Sequence, residues 1–278
     1  MFKGEFFHTT PADGVFYSHQ IEQSVRLPRD TTSSGGTNGG GFYRNSISSG
    51  SITDSKKFTF STWFKKTSSD LNLAQVLLFA LVSNGGRNIY IDDTNSSEYD
   101  KISSNSVWGS YSYIYPPTLR DTNSWYHLAW IWDTTQSTQA DRQKFYINGT
   151  LQGVGDTTNN WSQNSSVWWN SATSHSPGYS IGYNAYNHTE GNSYGVYGYL
   201  AETIGIDGQD VSISDLGETK NGVWIPKEYT GSFGGNGYHL KYENASDLGN
   251  DSSGNNNDFT TTNLGADHQV LDSPTFGS

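Results

Sequence analysis

Apolar and polar positions alternate along the chain in short runs, and clusters of Gly, Asn, Ser, Asp and Pro separate the runs. A period of two places successive side chains on opposite faces of a strand, so strands are predicted at 21–27, 57–66, 75–82, 88–91, 107–115, 125–133, 143–147, 179–183, 197–206 and 238–242. In 57–66, Phe58, Phe60, Thr62 and Phe64 share one face and Thr59, Ser61, Trp63 and Lys65 the other, and the Phe face is expected in the core. In 125–133 both faces are apolar, with Trp125, His127, Ala129 and Ile131 against Tyr126, Leu128, Trp130 and Trp132. That segment reads as a central strand covered on both sides.

Asn148-Gly149, between KFYI and Thr150-Leu151-Gln152, predicts a two-residue hairpin in which both residues take positive φ. One helical turn is expected at 212–218, where Ser212 and Asp215 form a capping pattern. Strands without intervening helices point to an all-β sandwich and not to βαβ units. The chain divides into an N-terminal arm at 1–20, a sandwich at 21–235, and a C-terminal strand with an Asp- and Asn-rich tail at 236–278, expected to pack on the sandwich.

Composition narrows the function. A hydrophobic fraction of 33% and a charged fraction of 15% leave a chain of Gly, Ser, Thr and Asn, unlike a helical bundle, while 14% aromatic residues supply the buried area that disordered chains lack. The formal net charge of −11 repels a phosphate backbone or an anionic membrane, so nucleic acid is not an expected partner. The apolar run at 76–82 falls far short of the ~20 residues that span a bilayer, and no membrane insertion is expected. Zero cysteines exclude a disulfide scaffold and a thiol nucleophile. MFKGEFFHTTPADG lacks the pattern of a signal peptide, yet Tyr, Trp, Asn, Ser and Gly suit an outer surface. A virus-particle protein, made in the host cytoplasm and released by lysis to the virion exterior, reconciles the two.

The succession QSVRLPRD, FTFSTWFKK, SWYHLAWIWDTTQ, KFYINGTLQ, YSIGYN, GYLAETIGIDGQ and SDLGETKNGVWIPKEYTG resembles the laminin G-like, concanavalin A-like sandwich of tailed-phage virion proteins, marine ones especially, over roughly 20–275. The resemblance implies an antiparallel two-sheet jelly roll. It also implies a non-enzymatic decoration or fibre protein, in homo-oligomers and with other virion proteins as partners, able to meet host-surface glycans. A free-standing lectin and a polysaccharide hydrolase or lyase are the alternatives. In many laminin G-like domains a loop like DSSGNGN follows the first strand, whereas here YHLKY and DSSGNNND come near the end. That late segment either fills the place of a first strand or begins a further domain.

Asp247, Asn250, Asp251, Ser253, Asn255, Asn257 and Asp258 gather oxygens in one Gly-containing loop. Calcium takes six to eight such oxygens, and Asp251, Asn255, Asn257 and Asp258 are the expected ligands, although the spacing is not that of an EF-hand. The same residues also suit a surface loop of Asx turns.

Sugar-cleaving relatives carry an E-x-D-x-x-E strand. Here Glu202 and Asp207 stand five apart, on opposite faces of a regular strand, so no catalytic residue is assigned and Glu202 reads as a structural or metal-side acid. The G-x-S-x-G match at 191–195 lacks the strand-to-helix elbow that gives that motif its chemistry, and the scattered His offer no zinc pair. Trp108, Tyr111 and Tyr113 alternate with Gly and Ser, and Trp161, Trp168 and Trp169 lie among Asn and Ser. Flat rings beside amides and hydroxyls suit sugar recognition, protein contacts and sheet packing alike; these six are the candidate ligand-binding residues.

Overall fold

The computed structural model describes residues 16–28, 39–67, 74–82, 85–92, 101–106, 111–114, 119, 121–153, 161–172, 178–184 and 195–275. In chain order the strands are β1 (Ser24–Leu27), β2 (Gly41–Arg44), β3 (Lys57–Lys66), β4 (Ala74–Val82), β5 (Gly85–Asp92), β6 (Lys101–Ser106), β7 (Tyr111–Ile114), β8 (Trp125–Asp133), β9 (Gln143–Ile147), β10 (Thr150–Leu151), β11 (Tyr179–Ile181), β12 (Gly198–Asp207), β13 (Gly217–Lys220), β14 (Val223–Pro226), β15 (Tyr238–Leu240), β16 (Thr260–Thr262) and β17 (Gln269–Val270). One sheet has the order β10-β9-β8-β3-β12-β1-β17, with β15 also on β12; the other runs β16-β2-β11-β4-β5-β6-β7. Pairing is antiparallel, for example Phe60 opposite Trp130 and Ile181 opposite Leu78. The architecture is the two-sheet sandwich that the pattern predicts.

Phe58, Phe60 and Phe64 of β3 and Leu128, Trp130 and Trp132 of β8 meet Phe42, Leu78, Ile89 and Ile181 of the other sheet in the main core. Their neighbours along the same strands also find cover. Ala129, Ile204 and Ile206 pack with Leu216 in a second cluster, and Trp63, Ala201 and Ile21 with Trp125 and Trp224 in a third. β3 and β8 are thus buried on both faces; β8 is apolar on both apart from His127, whereas the second face of β3 buries Thr59 and Ser61 beside Trp63.

The unpredicted elements are short or polar: β2, β13, β14, β16 and β17 have two to four residues each, too few to show an alternation, and β6 (KISSNS) is almost wholly polar. Expected strands also end early where the backbone turns left-handed. β11 stops before Gly182 (φ 84) and β15 before Tyr242 (φ 58). Of 107–115, only 111–114 are described, as β7. Within residues 238–270, β15 joins β12, β16 joins β2 and β17 joins β1. Ser24 Oγ donates to Asp272 O (2.5 Å) and Ile21 N to Thr275 Oγ1 (3.0 Å), so the two ends of the described chain are stitched together.

Asn148 (φ 47) and Gly149 (φ 74) make the expected turn between β9 and β10. Asn148 also receives the His127 N–H on Oδ1 at 2.7 Å, tying the turn to β8. A Cβ on Gly149 would lie 2.4 Å from Trp224 Cε3. Gly149→Val therefore combines backbone strain with a clash and is expected to cost roughly 2 kcal/mol or more. An unaltered melting temperature would contradict this account of the turn.

Candidate functional site

Loop residues 161–172 lie at one end of the sandwich and carry three of the candidate rings. Trp169 is fully buried and packs on Trp132 at 4.6 Å between centroids, so this ring belongs to the core and presents no face to a ligand. Trp168 and Trp161 are half-buried and pack on each other at 4.4 Å. Polar partners hold Trp161 in place: its Nε1 donates to Gln143 Oε1 (2.7 Å), and Arg142 Nη1 donates to its carbonyl (2.7 Å). The guanidinium of Arg87, on β5, lies 4.4 Å from the Trp168 ring centroid. Nothing in GGRNIYID set Arg87 apart in the sequence. Trp108 lies outside the described residues, and for Tyr111 and Tyr113 only the backbone register is described, opposite Asn105 and Ser103.

A groove of about 510 Å³ adjoins this end of the sandwich, with Ile131 and Tyr146 on the sheet side and Val211 and Ile213 on the loop side. The single turn at Ile213–Asp215 forms as expected, Asp215 accepting the Ser212 N–H at 2.8 Å. The groove's other acids are also engaged. Asp210 pairs with Lys57 (2.5 Å) and Asp141 with Lys144 (3.4 Å). Burial works to raise the Asp133 pKa, but hydrogen bonds from Thr135 and Gln136 and the charge of Lys57 outweigh it and hold the carboxyl below its ordinary value. Asp133 is thus unsuited to donate the proton that glycoside cleavage needs.

Two buried polar centres lie on the far side of the same sheet from the main core, and each resembles catalytic machinery. Ser61 Oγ and His127 Nε2 are 2.8 Å apart, while Trp224 Nε1 donates to His127 Nδ1 at 3.0 Å. Because Nδ1 accepts, the ring proton of neutral His127 sits on Nε2 and points at Ser61. Burial drops the His127 pKa to about 3, so the ring is neutral at ordinary pH. A histidine that donates to the serine cannot take its proton, and the pair is structural.

Glu202 stands at a β-bulge in β12, where register shifts between Ala201 and Ile204, and adopts φ 49. Its Oε1 accepts from His19 Nε2 (3.0 Å) and His239 Nε2 (2.7 Å). Asp207 is buried at the strand's other end on the core side, so the bulge leaves the two acids apart, in keeping with the missing E-x-D-x-x-E pattern. The G-x-S-x-G match falls outside the described residues up to 194.

The Asp251 loop is closed by its own hydrogen bonds. Asp251 Oδ1 accepts from His239 N (2.8 Å) and Ser253 N (2.9 Å), and Oδ2 from Ser253 Oγ (2.8 Å) and Asn257 N (2.9 Å). Asp258 Oδ1 accepts from Asp251 N (2.8 Å), Asn255 Nδ2 donates to Gly234 O (2.7 Å), and Asn257 Oδ1 receives Arg44 Nη2 (2.8 Å). The Ser253 N–H bond is an Asx turn and the others tie the loop to itself and to its neighbours, and a calcium ion would have to displace those made to the carboxylate oxygens. In this arrangement the donors do not fit a calcium cage. Among the described residues no three His, Cys, Asp or Glu side chains gather so as to hold a metal ion.

A family model described as the concanavalin A-like lectin/glucanases superfamily, Laminin_G_3, matches residues 38–186, more than half of the chain. Among solved structures the chain is similar to a Bacteroides ovatus protein inferred to bind carbohydrate, at 15% identity and a TM-score of 0.54, covering 88% of this chain and 61% of that one. The chain thus spans less than two thirds of that protein's length. It is also similar to the heptameric SAP-like pentraxin of Limulus polyphemus, at 15% identity and a TM-score of 0.44, covering 69% of this chain and 78% of that one. No curated protein sequence matches. The family match and the likeness to the Bacteroides ovatus protein speak for the fold, and no helix among the described residues is long and apolar enough to cross a membrane.

Proposed function

Because the chain belongs to the concanavalin A-like lectin/glucanases superfamily, we propose that it is a non-enzymatic, lectin-like module that binds glycans and works on the exterior of a tailed-phage particle, as capsid decoration or as part of a fibre. The observation that carries the glycan reading is the Trp161–Trp168 pair: two half-buried indoles packed at the edge of the core, each keeping part of its ring exposed, one anchored by Arg142 and Gln143. An indole face covers the apolar face of a sugar ring, and neighbouring amide and guanidinium groups meet its hydroxyls. The hydrogen bonds and ion pairs that hold the groove's Asp133, Asp141, Asp210 and Asp215 support binding over cleavage. The phage reading is supported by the outer-surface composition and by the ordered motifs along the chain, and it gives the protein other virion proteins and host-surface glycans as partners. Copurification with intact particles separates it from a free lectin.

Trp168→Ala is expected to weaken glycan binding by about tenfold or more while the fold survives, as truncation of an aromatic anchor commonly does. Wild-type affinity is expected to change little between low and physiological salt, because ring stacking is not screened. A glycan array followed by calorimetry checks both. Normal binding by a folded Trp168→Ala protein would remove the pair from the site.

A further inference from the structure

Half-buried Arg142 and Arg44 differ from buried Arg87 in one respect. Arg142 spends Nε, Nη1 and Nη2 on the carbonyls of Gln136, Trp161 and Ser137, at 2.7–2.9 Å. Arg44 donates to Asn257 Oδ1 and Asn236 O and lies over Phe259. Arg87 is 9% exposed, yet its Nε is buried with no hydrogen-bond partner, and its one hydrogen bond runs from Nη1 to the carbonyl of the preceding Gly86 (3.1 Å). Among the described residues no carboxylate pairs with it. A guanidinium remains charged in a protein, and leaving a buried charge without a counter-ion is costly, more so when an N–H is orphaned as well. Desolvation accordingly lowers the Arg87 pKa from its usual value.

The Trp168 ring lies against this cation at 4.4 Å, and Trp168 is the ring that packs on Trp161. A planar fork that lacks an anion thus adjoins an indole pair suited to a sugar face. The geometry points to an acidic-sugar subsite: Trp161 and Trp168 take the pyranose face of a carboxylate-bearing saccharide, and Arg87 takes its carboxylate. The inference rests on the glycan-binding reading above and adds the class of sugar. The partnership is local, since guanidinium and carboxylate match in geometry and charge, and it works against the long-range field of a chain with net charge −11. Acidic sugars therefore gain from the docked contact, which is shielded from salt, and not from steering.

The test is calorimetry of the full chain against a panel of oligouronates and sialylated oligosaccharides, each beside its carboxyl methyl ester, which keeps the shape and removes the charge. At least one acid is expected to bind about tenfold tighter than its ester. Arg87→Gln should bring the acid to the level of the ester without changing the ester's affinity. Arg87→Lys, which keeps the charge but not the fork, should keep only part of the preference and serves if the Gln variant does not fold. Arg26→Gln, exposed on β1, should leave the preference intact. Trp168→Ala should lose acid and ester together. Equal binding of acid and ester by the wild-type protein, or a preference that survives in folded Arg87→Gln, overturns the Arg87 assignment and leaves glycan binding standing. Binding confined to neutral glycans on an array has the same meaning. Failure to bind any saccharide, acidic or neutral, overturns the glycan reading and this subsite with it.

Discussion

Asp207→Ala is expected to cost about 4 kcal/mol, a large share of the 5–15 kcal/mol that holds most domains folded. The carboxylate is fully buried. Its Oδ2 accepts from Thr53 N (2.6 Å) and Asn236 N (2.9 Å), and its Oδ1 from Asn170 Nδ2 (2.6 Å) and Asp54 N (3.2 Å). Truncation would strand these donors away from water, at roughly 1–3 kcal/mol for each one left unpaired. Asp207→Asn keeps one acceptor but turns an amide N–H toward other donors, so it should lie between wild type and Ala. The denaturant midpoint measures both. A second consequence reaches the site: Asn170 also donates to Asp54 O and Lys57 O and closes the turn that carries Trp168 and Trp169. Loss of Asp207 should therefore weaken glycan binding even under conditions where the protein stays folded. Wild-type stability in both variants would mean that the buried carboxylate holds nothing together.

How far these features could be read from the sequence depends on how local they are. The β3 face of Phe58, Phe60 and Phe64 and the two-faced burial of β8 were legible because alternation acts within a few residues. The Asn148-Gly149 turn was legible for the same reason, and the β13–β14 hairpin carries the same dipeptide, Asn221 (φ 52) and Gly222 (φ 80), overlooked in a chain full of Asn and Gly. Other features depend on long-range assembly. Asp207 joins residues 53, 54, 170 and 236, and no spacing along the chain announces that hub.

The aromatic residues show the same limit. Trp161, Trp168 and Trp169 share one composition, yet the third is core and the first two are not, because the loop's turn alone decides which ring faces Trp132. In the Asp251 loop the oxygen-rich sequence was plain, but the backbone N–H groups that satisfy it were not. Oxygen count alone could not distinguish a calcium loop from an Asx-turn loop.

The contribution of the Glu202 contact to stability is expected to be bounded in pH on both sides, on top of the loss that buried, neutral His127 imposes as pH falls below about 6.5. Burial alone would raise the Glu202 pKa; hydrogen bonds from His19 and His239, with the charges of those rings, outweigh it and bring the value down from 4.5 to about 2. A depressed carboxyl stabilises the fold fully above its unfolded value and loses that contribution as pH falls through its folded value. Stability should thus decline from about pH 4.5 toward pH 2, by on the order of 3 kcal/mol from this group. His19 has the opposite sign. Its hydrogen bond to Glu202 raises its pKa above 6.5 against the lowering effect of burial, with Glu228 assisting and Lys241 opposing. Its contribution is complete below pH 6.5 and disappears as pH climbs through the raised value. The pair is therefore strongest between about pH 4.5 and 6.5.

Denaturation of wild type and Glu202→Gln across pH isolates the effect, because the difference between the curves cancels the carboxylates common to both. The difference should be largest inside the window and shrink on either side, and His19→Gln should remove the alkaline limb and shrink the acidic one, which His239 then sustains alone. Glu202 also sits at positive φ, a conformation costing roughly 1–3 kcal/mol for a non-glycine residue. The two histidines are what hold the chain there, and with it the bulge that separates Ala201 from Ile204. Parallel curves at every pH would show that the His–Glu–His contact contributes nothing to that hold.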